Sequence, residues 1–158
     1  MTRNDILELK TREKIYSIIK EKPGICVREL QRETGLAIGQ LSYHLSLILK
    51  ADIIKEILNK RFRRFYLINI NENEARILFL IRRKNVRHII KLLIIKNKIT
   101  NSELSKKIKV SPQTITWYIH SLENFNLLNK EAKGNRIFYS LKERHEIQNV
   151  MEKYKEAF

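Results

Sequence analysis

Between Thr11 and Lys20 the apolar residues Ile15, Ile18 and Ile19 fall on one face of a helix. Lys22, Pro23 and Gly24 break that period. A short second helix is expected over Val27 to Thr34, with Gly35 as its left-handed C-terminal cap. A third follows over Ile38 to Lys50, with Ile38, Leu41, Leu45 and Ile48 as its core stripe. Ile53 to Ile57 and Phe65 to Ile70 read as strands, joined by a basic turn at Asn59, Lys60 and Arg61.

The same order of elements then repeats. At an offset of 74 residues, Ile25 to Leu30 falls on Ile99 to Leu104, and Leu41 to Leu45 on Ile115 to Ile119. Ile53 and Ile54 fall on Leu127 and Leu128, while Ile15, Ile18 and Ile19 fall on Ile89, Leu92 and Leu93. Beyond position 60 the offset becomes 73, because Phe65 and Tyr66 match Phe138 and Tyr139; a loop tolerates such a change. In the second copy Thr100 and Glu103 form a capping box. Ser111 and Pro112 supply an N-cap and first-turn proline for its third helix, whose core stripe is Ile115, Ile119 and Leu122. Asn126 to Glu131 and Ile137 to Leu141 form its hairpin, with Lys133 to Arg136 at the tip.

The expected fold is therefore mainly α with small β-hairpin wings, an α+β chain of two helix, helix, helix, hairpin modules in tandem. The first module takes 1–70, a connecting helix 71–85, the second module 86–141 and a C-terminal helix 142–158. That last helix carries Ile147, Val150, Met151 and Tyr154 on one stripe, which must be buried on its own module or on a second subunit. Modules of about 60–70 residues are marginal alone, which adds a motive for mutual packing or a homodimer.

Charge narrows the partners. The 158 residues carry a formal net charge of +15 at pH 7. Both halves are basic: residues 1–70 hold 14 basic and 8 acidic side chains, and 71–158 hold 18 and 9. Such an excess points to a polyanion. One cysteine, Cys26, excludes an intramolecular disulfide and fits a reducing compartment. No apolar run approaches the roughly 18 residues of a membrane span, and the start lacks a signal-peptide core. The expected location is cytoplasmic.

A short helix, a turn and a longer helix make a helix-turn-helix, whose second helix enters the DNA major groove; a following hairpin can lay cations along phosphate. Both copies have the residue types this needs. Opposite the first core stripe lie Gln40, Tyr43 and Lys50, with Ser42 at the flank. Gln can pair bidentately with adenine, and Ser with several bases. The first wing carries Lys60, Arg61, Arg63 and Arg64. The second copy offers Gln113, Thr114, Thr116, Trp117, His120 and Asn124, with Lys133 and Arg136 in its wing. His44 and Tyr118 lie beside the stripe and read as structural. Leu47 is apolar on the face expected to be exposed, where the second copy has Ser121.

Glu29-Leu30, Gly35-Leu36, Leu41 to Leu45 with its Ser-Tyr-His-Leu run, and Ala51 to Ile54 resemble ArsR/MarR-type winged-helix regulators, the archaeal ones above all. Ser111 to Ile119 resembles the same family more loosely. The resemblance covers about residues 11–70 and 86–141. It implies binding of double-stranded promoter DNA, with repression or activation and contact with the transcription machinery. Metal-sensing members carry Cys or His clusters; here Cys26, His44, His88, His120 and His145 show no ligand spacing, so neither a metal nor another cofactor is expected. A glycine-rich phosphate loop and a nucleophile–base set are lacking, which argues against an enzyme. Two alternatives stay open: an RNA-binding protein stacking bases on Tyr43 and Trp117, and a tandem scaffold for protein assembly.

Overall fold

A computed structural model describes residues 9–59 and 61–158. Lys60, one of the expected wing cations, lies outside the described residues. The chain divides into two compact units, Met1–Ala75 and Arg76–Glu156.

In the first unit, α1 (Lys10–Glu21), β1 (Ile25–Cys26), α2 (Val27–Thr34), α3 (Ile38–Lys50), β2 (Ile54–Asn59) and β3 (Phe62–Leu67) follow in order. Helix α4 (Glu72–Ile81) comes next, and the division between the units falls inside it. The second unit continues with α5 (Lys84–Lys96), β4 (Ile99–Thr100), α6 (Asn101–Ile108), α7 (Pro112–Asn124), β5 (Leu128–Lys133), β6 (Arg136–Leu141) and α8 (Arg144–Lys153). A single 3-10 turn, Lys155–Ala157, ends the described chain.

The repeat is carried into the packing. Ile15, Ile19, Ile25, Leu30, Leu41, Leu45, Ile48, Ile53 and Ile54 are buried in the first unit, and their partners at the 74-residue offset are buried in the second. Each unit thus has one core, built from a helical stripe and the inner side of a small sheet. Both sheets are antiparallel and three-stranded, in the orders β1-β3-β2 and β4-β6-β5.

The two-residue strands β1 and β4 were not expected. They are too short to show alternation, and they pair only because the hairpin's return strand passes beside them, Ile25 opposite Phe65 and Ile99 opposite Tyr139. The wing strands also sit differently from expectation. The first hairpin runs Ile54–Asn59 and Phe62–Leu67, so its strands approach the tip more closely and Ile68 to Ile70 leave the sheet. In the second, Asn126 has φ +56, as Asp52 does at the matching position with φ +51. This left-handed residue turns the chain out of the helix, so β5 starts only at Leu128.

Four further expectations are corrected. Ile38 does not join the core: it is 52% exposed, because the first turn of α3 projects beyond the packed stripe that begins at Leu41. Leu47 is half-buried rather than exposed. The C-terminal helix is shorter than 142–158, since Lys142 still donates to the Leu127 carbonyl at 2.9 Å and Glu143 has φ +44. Of its stripe, Ile147 and Val150 are buried while Met151 and Tyr154 are half-buried. The connecting helix is likewise shorter than expected and ends at Ile81, with Arg83 extended before α5.

Candidate nucleic-acid interface

Helix α3 starts where α2 is stopped. Gly35 has φ +74 and donates to the Gln31 carbonyl at 2.9 Å, closing α2 in the left-handed conformation that glycine adopts without strain. Ala37 is extended and sets the new helix axis. Leu41, Leu45 and Ile48 then face the core, which fixes the rotation of α3 about its axis. The opposite face consists of Gln40, Ser42, Tyr43 and Lys50, all exposed; Tyr43 is 62% exposed, with its ring edge against His44 at 5.4 Å. Lys50 lies in the last turn, where the helix dipole favours a cation. His44 is half-buried beside the stripe, as expected of a packing residue.

Helix α7 is positioned by stronger local chemistry. Ser111 Oγ accepts from the Thr114 amide at 3.1 Å, and Pro112 occupies the first turn. The preceding α6 opens with the expected capping box: the Glu103 carboxylate accepts from the Thr100 amide at 2.9 Å, and Thr100 Oγ1 accepts from the Glu103 amide at 3.3 Å. These bonds hold the Glu103 carboxyl below its usual range, the Thr100 backbone bond being the largest cause. Gln113, Thr116, Trp117, His120 and Asn124 are exposed. Thr114 and Thr116 are already engaged locally: Thr114 Oγ1 lies 2.9 Å from Ser111 Oγ, and Thr116 Oγ1 donates to the Pro112 carbonyl at 3.0 Å and accepts from Asn101 at 2.9 Å. Gln113, Trp117, His120 and Asn124 are then the longer side chains of this face. Trp117 is 58% exposed, with the Arg83 guanidinium 5.3 Å from its ring centroid and the Tyr118 ring edge-on at 5.2 Å. His120 Nδ1 lies 3.0 Å from a Glu123 carboxylate oxygen. Tyr118 is half-buried and accepts from Asn85 Nδ2 at 2.9 Å, a structural role.

The wing cations separate into kinds. Arg61 is exposed in the turn. Arg63 is exposed but grips Glu56 with two bonds of 2.5 and 2.6 Å, which holds the Glu56 carboxyl below its usual range. Arg64 turns back under the wing. Its guanidinium donates to the Gly24 carbonyl at 3.1 Å and to Glu29 at 3.3 Å, because its strand position lies opposite Cys26 of β1. In the second unit Lys133 and Arg136 face each other at the last pair before the turn, both exposed. The α2 arginines Arg28 and Arg32 are exposed one turn apart, and their i, i+4 spacing opposite buried Leu30 is the sequence signal for this basic edge.

A family model described as "N-terminal HTH domain" matches residues 9–78, and one described as "Winged helix-turn-helix DNA-binding" matches residues 82–124. One match falls on each unit of the repeat. The chain is a tandem winged helix-turn-helix protein. Both descriptions name helix-turn-helix domains, a class distinct from enzymes, and the second names DNA binding. An uncharacterised HTH-type transcriptional regulator of the archaeon Methanocaldococcus jannaschii is 26% identical over 136 residues, covering 84% of this chain. The chain spans 34% of that relative's length. Among solved structures, HlyU from Vibrio cholerae superposes with a TM-score of 0.46 at 17% identity, over 52% of this chain and 92% of that one. An ArsR family transcriptional regulator gives 0.42 at 19%, over 53% and 84%. Among the described residues no helix is long and apolar enough to cross a membrane, and no group of three or more His, Cys, Asp or Glu could hold a metal ion.

Proposed function

We propose that this tandem winged helix-turn-helix chain is a sequence-specific regulator that binds double-stranded promoter DNA. The observation that carries this is the same in both units: a helix locked by a buried stripe presents planar and polar side chains to solvent, beside a basic hairpin. In this reading α3 and α7 each enter a major groove. Gln40, Ser42 and Tyr43, and Gln113, Trp117, His120 and Asn124, meet base edges. Arg61, Arg63, Lys133 and Arg136 lie along phosphate, with Lys60 at the first tip and Lys50 at the end of α3. The threonines Thr114 and Thr116 hold the start of α7 in place, and Arg64 anchors the first wing. Work on chromosomal DNA sets the cytoplasm as its location, and contact with the transcription machinery would follow at a promoter.

A homodimer through α8 has little apolar surface left to bury, because only the half-buried Met151 and Tyr154 remain of its stripe. Read by one chain, the site would be asymmetric, since the two reading faces differ in sequence.

Selection of bound sequences from a random duplex library at about 150 mM salt tests the reading. Enrichment of an asymmetric motif supports it, and a palindrome would restore the dimer. Retained binding without enrichment, or preference for single-stranded RNA, would overturn sequence-specific regulation in favour of an architectural or RNA-binding role.

A further inference from the structure

The start of α5 is fastened to the reading helix of its own unit. Arg83 is the extended residue from which α5 departs. Its guanidinium lies 5.3 Å from the Trp117 ring centroid, and Nη1 donates to Ser121 Oγ at 3.1 Å. The same guanidinium lies 5.5 Å from the ring centroid of buried Phe79, which stacks at 5.4 Å on Phe125, the residue that ends α7. Two residues on, Asn85 donates to the Tyr118 hydroxyl at 2.9 Å. Trp117, Tyr118 and Ser121 of α7 are thus all held by residues that lie outside the helix-turn-helix. Among the described residues no carboxylate pairs with Arg83, so two rings and a hydroxyl are what hold its charge in place.

The first unit is built without this arrangement. At the 74-residue offset Arg83 and Ser121 are matched by Leu9 and Leu47, an apolar pair, and Trp117 by Tyr43. Tyr43 has the His44 ring edge against it and no cation over it among the described residues. The module folds either way, so its core does not require the guanidinium. What the guanidinium changes is Trp117, which is 58% exposed on the reading face. A planar guanidinium stacks on an indole and donates from its rim at the same time, and tryptophan is the best aromatic partner for it. An exposed side chain that is ordered only on binding costs affinity and blurs recognition, whereas one ordered beforehand does not.

We propose that Arg83 is a positioning residue for base reading: it holds the Trp117 indole in the orientation in which α7 presents it to a base pair, and Ser121 holds Arg83. The segment joining the two modules thereby sets part of the specificity of the second reading helix. This rests on the duplex-binding reading above and deepens it.

Two measurements on the full chain test it. Trp117 is the only tryptophan, so the time-resolved anisotropy of the free protein reports the motion of that indole. R83A, and S121A, which keeps every charge, should each raise the amplitude of the fast local decay. Selection from a random duplex library should then return the wild-type motif with the choice relaxed at one position, the same position in R83A, S121A and W117A. Affinity of R83A for the wild-type motif should fall by about two- to tenfold, with the slope of log affinity against log salt unchanged. K84Q, which removes the neighbouring exposed lysine, should leave the decay and the motif as they are. An unchanged decay in both R83A and S121A, or an unrelaxed motif in both, overturns the proposal and leaves the duplex-binding reading intact. A slope shallower by about 0.9 in R83A with the motif intact makes Arg83 a phosphate contact and also overturns it. A wild-type chain that enriches no motif overturns both.

Discussion

Gly24 joins α1 to β1 with φ +80, and an added Cβ would lie 3.0 Å from the Tyr66 hydroxyl and 3.1 Å from its ring. Tyr66 cannot yield, being fully buried with its hydroxyl donating to the Ala75 carbonyl at 3.4 Å. Gly24→Ala therefore incurs two costs. The left-handed backbone costs about 1–2 kcal/mol for a residue with a Cβ. Overpacking against the tyrosine adds about 1–3 kcal/mol. The sum is about 2–5 kcal/mol, a large part of the stability of a small domain. Gly35→Ala is the internal control: its φ is +74, yet nothing lies within 4 Å of the new Cβ, so only the backbone term applies. Hydrogen exchange of the β1 and β3 amides as a function of urea reports the opening free energy of this unit directly. The Gly24 variant should lose protection well beyond the Gly35 variant. Equal losses would refute the steric argument and leave conformational strain as the whole effect.

Four other outcomes are expected. Gln40→Ala and Gln113→Ala should each cost about 1–3 kcal/mol on a selected site and relax the choice at one position; a uniform loss on every duplex would exclude base reading by that side chain. Thr100→Ala should cost about 0.5–2 kcal/mol through loss of the cap on α6, read as a lower urea midpoint. Because the folded carboxyl of Glu103 lies below its usual pKa of 4.5, the stability it lends is complete above that pH and is lost as acid takes the solution through the lower folded value. Exchange of the α6 amides should show this acid-side loss, and Glu103→Gln should abolish that pH dependence. Trp117 is the only tryptophan, so duplex binding should change its emission, and Arg83→Ala should alter the emission of the free protein by removing the overlying guanidinium.

Helices with strong local signals were legible in advance. The spans Val27–Thr34 and Ile38–Lys50 follow the apolar period and the glycine stop without error, and the Thr100 box and Ser111 cap form as their spacing implies. What escaped is set by tertiary partners. Nothing local distinguishes Ile38 from Leu41; only the place where the rest of the unit ends leaves one exposed and the other buried. Arg64 reads as one more wing cation until β1 is known, because it is the pairing with Cys26 that brings Glu29 within its reach. Register likewise placed Arg63 diagonally across from Glu56. The exposed faces of α3 and α7 were legible from periodicity. Which of their side chains touch a base is not a property that periodicity carries.

Cys26 and Thr100 each hold two posts at once. Each pairs with the return strand of its wing, and each is also the residue from which the first helix of its helix-turn-helix departs. Wing and helix pair are consequently hinged at no point: the hairpin cannot slip by a residue without dragging the start of the helix along. A module built this way behaves as a caliper of fixed opening, with the reading helix as one jaw and the hairpin as the other. If the proposed duplex docking holds, duplexes whose groove-to-backbone spacing departs from that opening must be deformed to fit, at a cost that depends on their sequence. On the function proposed above, such a module discriminates among sites partly by how stiff they are, including at base pairs it never touches.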